Sequence, residues 1–164
     1  MAWTTPATAT AGSTALTAAF WNEQVRDNLV ELAPFTAAWT SFTPSWSNVT
    51  VGNGTNTGGY IRVGKLVSYW AKFVLGSTSA ITATPVLTLP VAAKSSQIGC
   101  HNGLFEDSGT GYFLIMPRVA GPTVECYAGG AGGTYVGANV LNATVPFTWT
   151  TNDIIWISGI YESA

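Results

Sequence analysis

The chain has 164 residues, of which 47% are hydrophobic and only 9% charged, and its formal net charge is -2 at neutral pH. Soluble globular proteins carry about 25% charged residues, so Thr, Ser, Asn and Gly must cover this surface, and such a surface costs little to desolvate against copies of itself. The six basic residues are scattered, which excludes the clustered phosphate contacts of a nucleic-acid binder; no run approaches the roughly 18 apolar residues of a membrane span, and the hydrophobic content excludes a disordered chain.

Residues 1–38 are written differently from the rest. The opening, from Ala2 to Gly12, has no period and contains Pro6, so it reads as an extended arm whose one large anchor is Trp3. It has neither the basic start nor the apolar run of a signal peptide, and the expectation is synthesis in the cytoplasm. Thr17 can cap a helix, and Ala18 to Leu32 contains no Gly or Pro, which predicts one helix there. Pro34 closes it, because the residue before a proline is driven out of helical geometry. Ala18, Trp21, Val25, Asn28 and Leu32 follow the 3-4-3-4 spacing of a coiled-coil seam, flanked by Leu29, and a lone Asn in such a seam fixes register. A helix of about 15 residues is marginal alone in water. It must dock, either on its own β domain or on sister helices and a host assembly, and the seam favours the second. Trp3, Trp21, Val25, Asn28, Leu29 and Leu32 are therefore the expected anchor and oligomer interface.

From residue 39 the period becomes two. Leu66 to Leu75 places Val67, Tyr69, Ala71, Phe73 and Leu75 on one face, with Ser68, Trp70, Lys72 and Val74 on the other. Further strands are predicted at 46–51, 60–63, 86–89, 97–105, 112–119, 123–128, 134–140, 147–150 and 154–161. Turn signals lie between them at Gly52-Asn53-Gly54, Gly58-Gly59, Asp107-Ser108-Gly109, Gly121-Pro122 and Thr151-Asn152-Asp153. Without a second helix a parallel βαβ architecture is excluded. Many short strands point instead to a mainly β domain over 39–164, an antiparallel β-sandwich of jelly-roll-like type.

Catalytic and metal-binding patterns are sparse. His101 is the single histidine, and a zinc site needs more ligands than it can recruit at suitable spacing. Cys100 is its neighbour, but adjacent strand residues point to opposite faces, so a Cys–His nucleophile pair is not expected. Cys100 and Cys126 are too few for a disulfide framework and read as two small buried side chains; whether they pair is left open. A glycosidase needs two carboxyls facing across a cleft, whereas Glu106, Asp107 and Asp153 read as turn residues and Glu125 and Glu162 form no evident pair. Gly129 to Gly133 lacks the Lys-Ser/Thr ending of a phosphate loop. No enzyme activity, cofactor or metal is expected. Aromatic residues read as core or interface material, with one exception. Trp70, beside Ser68 and Lys72, is placed for an intersubunit or ligand contact.

Two stretches carry a resemblance. Ala18 to Leu29 (AAFWNEQVRDNL), after its Thr/Ala-rich arm, resembles the N-terminal segment of small virion proteins of tailed bacteriophages, especially those infecting actinobacteria. Trp39 to Trp46 (WTSFTPSW), followed by Gly52 to Thr55 and Gly59 to Lys65 (GYIRVGK), is similar to β domains of phage tail fibres, minor tail proteins and capsid decoration proteins. The resemblance implies a non-enzymatic, trimeric particle protein bound through its N-terminus to the major capsid protein or a tail protein, with the β head outward. Capsid decoration is the first expectation. A tail-tip adhesin that binds a host cell-wall glycan is the rival.

Overall fold

The computed structural model describes residues 17–33, 37–94, 100–132 and 135–164. Trp3 and the rest of the expected arm lie outside the described residues. Among the described residues, no helix is long and apolar enough to cross a membrane.

Thr17 caps the helix as expected, its Oγ1 accepting from the Phe20 N–H at 3.1 Å. The helix is not uniform, however. A first turn, α1 (Ala18–Trp21), leads into a π-helical stretch, Asn22–Arg26, and then α2 (Asp27–Leu32). A π turn holds more residues than an α turn, so the 3-4-3-4 spacing across it does not keep one face. The continuous seam is thereby corrected: Asn28 is buried, while Ala18, Trp21, Val25, Leu29 and Leu32 are all exposed.

Ten strands are present among the described residues: β1 (Thr40–Phe42), β2 (Ser45–Thr50), β3 (Thr55–Val63), β4 (Leu66–Val74), β5 (Ala80–Thr88), β6 (Cys100–Asp107), β7 (Gly111–Ala120), β8 (Thr123–Gly132), β9 (Tyr135–Asn139) and β10 (Ile154–Glu162). Every pairing is antiparallel. The strand order is β1-β3-β4-β10-β6-β7-β8-β5-β2, with β9 on β8. The first part of β7, Gly111 to Leu114, pairs with β6, and the remainder, Ile115 to Ala120, pairs with β8. The sheet therefore curls through β7 from one layer into the other, giving a β-sandwich-like fold.

The two ends of this order are close in the chain, because only Thr43 and the buried Pro44 separate β1 from β2. Asn56 ties the seam: its amide donates to the Pro44 carbonyl and its Oδ1 accepts from Trp46 Nε1 at 3.0 Å. The alternation read on β4 is realised, with Val67, Tyr69, Ala71, Phe73 and Leu75 all buried. They meet Ile155 and Ile157 of β10, Phe105 of β6, and Val124 and Cys126 of β8 in one core.

Three expectations are corrected. Gly58-Gly59 is not a turn but lies inside β3. There a Cβ on Gly58 would sit 2.6 Å from the Phe42 ring, and one on Gly59 2.8 Å from Trp70 Nε1, so these glycines admit aromatic rings onto the backbone. The 147–150 segment is not a strand. Its alternating aromatics form a plug instead, with Phe147 4.4 Å from Trp149 and 5.1 Å from Phe113 between ring centroids. Cys100 is exposed, not buried; Cys126 is buried, and both are free thiols.

Candidate functional site

His101 lies on β6 with its ring turned inward and Cys100 on the opposite face, as strand geometry requires. Its Nδ1 is 2.8 Å from the Tyr69 hydroxyl, and its ring stacks on Tyr161 at 6.3 Å. Gly159 makes this possible, since a Cβ there would collide with His101 Nδ1. The Tyr161 hydroxyl donates to the Val91 carbonyl at 2.7 Å. Burial lowers the His101 pKa and raises that of Tyr69, and it pushes Tyr161 up to about 12. These groups are held neutral at physiological pH. His101 Nε2 is buried and makes no hydrogen bond. The Cys126 thiol is likewise buried in this core and pushed up to about 12 by that burial.

The carboxylates are mostly engaged. Asp153 is fully buried; its Oδ1 accepts from the Ser108 N–H at 2.9 Å, and its Oδ2 accepts from the Thr150 N–H. It joins two turns. Glu125 pairs with Arg118 at 2.8 Å and accepts from the Tyr127 hydroxyl at 2.9 Å. Glu162 pairs with Lys94 at 3.0 Å. Among the described residues no three His, Cys, Asp or Glu side chains come together as metal ligands.

The surface carries the distinguishing features, in three places. On the helix, Trp21 is 51% exposed and Leu29 60%, with Val25 and Leu32 also open to solvent. Trp70, half-buried, lines an open groove of about 520 Å³ with Phe42, Thr57 and Gly58. Its indole covers Gly59.

The third place was not expected from sequence. It is the outer face of the β4-β10-β6-β7 layer. Trp156 on β10 stands opposite Lys72 of β4 and Leu104 of β6, and Leu104 stands opposite Leu114 of β7. Tyr112, Leu114 and Met116 follow one another on the outward side of β7, while the exposed Ile160 of β10 is separated from Trp156 by Ser158, whose hydroxyl donates to Asn102 at 2.7 Å. The sequence did hold a sign of it. Tyr112 to Met116 and Ile154 to Ile157 are continuously apolar, and such runs mark strands covered on both faces, whereas a half-solvated sheet alternates.

The structure thus brings the exposed anchor residues Trp21, Val25, Leu29 and Leu32 onto one short helix, separates Asn28 from them by burial, and places Trp70 on the outer side of β4, opposite Ser158 of β10 and two residues from Lys72. Comparison with protein-family models, curated proteins and solved structures finds no match.

Proposed function

We propose that this chain is a non-enzymatic virion surface protein of a tailed bacteriophage, a trimeric capsid decoration protein attached through residues 1–38 with its β-sandwich directed outward. The observation that carries the reading is the helix. Large apolar side chains at Trp21, Val25, Leu29 and Leu32 stand open to water in the single chain, on a helix too short to persist in isolation. A segment of that kind gains its order on a partner. The low charge of the surface and the resemblance of Ala18 to Leu29 to particle-bound phage segments agree with a partner that is a protein shell. Bridging shell subunits needs area and shape, not catalytic groups.

A second reading, an adhesin at the tail tip, is favoured by the Trp70 groove, because an aromatic face flanked by hydroxyl-bearing side chains suits a sugar ring. Locating the protein on intact particles by gold labelling separates the two. Label over the shell supports decoration; label confined to the tail tip overturns it in favour of the adhesin.

A further inference from the structure

We infer that copies of this chain associate through the outer face of the β4-β10-β6-β7 layer, around an axis close to Trp156, with Lys72 of each copy meeting Glu106 of the next. The inference rests on the self-associating particle protein proposed above and names the surface that joins its copies.

Area is the first argument. Tyr112 is 71% exposed, Leu114 75%, Trp156 47% and Met116 36%. Together these four residues show water on the order of 500 Å², within the range of the largest patch of a typical monomer and more than half of the about 800 Å² each partner contributes to a standard interface. Cross-strand pairing places Trp156, Leu104 and Leu114 in a row, with Tyr112 and Met116 flanking Leu114 on β7. Ile160 lies beyond the polar Ser158–Asn102 pair and is outside this row.

Charge identifies the occupant as a second copy. Lys72 and Glu106 flank the row on opposite sides of β10, whereas Arg118, beyond Met116 on β7, is paired with Glu125. Lys72, on β4, stands beside Trp156 with its Nζ 5.9 Å from the ring centroid. Glu106, on β6, stands beside Ile154 and Tyr112. Neither is ion-paired among the described residues. A face with opposite charges on its two flanks complements itself head to tail, which closes into a ring when the rotation closes. A foreign partner would have to match both signs separately.

Sedimentation of the full-length chain at micromolar concentration tests this. The native chain is expected to run as a trimer. Leu114→Glu and Tyr112→Glu, at sites so exposed that the fold is spared, should each run as folded monomers with unchanged circular dichroism. Ser47→Glu, which puts the same charge on the outer side of β2, should remain trimeric. Lys72→Glu alone should weaken association about tenfold or more, the scale of one interfacial charge contact, and adding Glu106→Lys should restore it. A native trimer that survives both Leu114→Glu and Tyr112→Glu overturns this interface while leaving the trimeric particle protein standing. Failure of the double charge exchange to restore association overturns the Lys72–Glu106 contact. A monomeric native chain overturns self-association itself, and this interface with it.

Discussion

Asp153 shows how a side chain that reads as turn decoration becomes a structural element. Its carboxylate is fully buried and takes the backbone N–H of Ser108 and of Thr150, joining the β6–β7 turn to the start of β10. Removing it leaves two backbone donors without an acceptor, each costing roughly 1–3 kcal/mol. Asp153→Ala should therefore lower stability by about 3 kcal/mol in urea denaturation, and Asp153→Asn, which keeps one acceptor, by less. Equal stability of Asp153→Ala and the native chain would contradict this role.

Buried acids give a second expectation. Cys126 and Tyr69 have raised pKa values in the fold because burial disfavours their anions. Below their ordinary values of 9.0 and 10.0 both states are protonated and nothing is lost. Above them the unfolded chain releases protons that the native chain holds, so stability falls as pH rises, by up to about 1.4 kcal/mol per pH unit for each group. The urea midpoint should drop from pH 9 upward, and Cys126→Ala should remove the part of the slope that begins below pH 10. A flat profile to pH 12 would contradict the burial of both groups.

Strand β4 was fully legible because both of its faces obey the period of two, down to which residues are buried. Strand β3 was legible only in its second half. Gly58 and Gly59 signal a turn to any reading of local propensity, and only the rings of Phe42 and Trp70, brought in from other strands, explain them. Strand β5 was legible only from Val86. Its first part bulges past β2, where Asn48, at a φ of 65°, donates from its side chain to the Thr84 carbonyl at 2.8 Å. That contact stands in for a ladder bond beside Pro85, which has no N–H to give. The helix was legible in its cap and extent, but the π stretch at Asn22–Arg26 depends on backbone hydrogen bonding that side-chain spacing does not encode. Because Val25 lies in that stretch and is exposed, Val25→Asp should leave the chain folded with native melting behaviour. It should nevertheless abolish incorporation into particles, since an unpartnered charge is costly once docked. Loss of the β-sheet signal in this variant would show that the helix belongs to the sandwich core.

The fold as a whole follows from patterns that sequence displays well: short apolar strands, alternating burial and frequent turns. The surfaces are harder to read. Exposure depends on which strands stand side by side, and the adjacency of β10 to β6 and β4 is a fact of topology, not of chain order. Trp70, Trp156 and Tyr112 look alike in sequence, yet one lines a groove and two stand on a broad open face. The division of labour between residues 1–38 and the sandwich is tested by binding to particles that lack this protein, comparing the full-length chain with residues 39–164. The full-length chain should bind, and the shortened chain, soluble and β-rich, should not. Ordering a segment costs about 1–2 kcal/mol per residue, and burial of large apolar side chains at about 25 cal/mol per Å² offsets that cost only where a docking groove exists. Equal binding by residues 39–164 would show that the sandwich itself is the attachment surface, and would contradict the assignment of the anchor to the N-terminal helix.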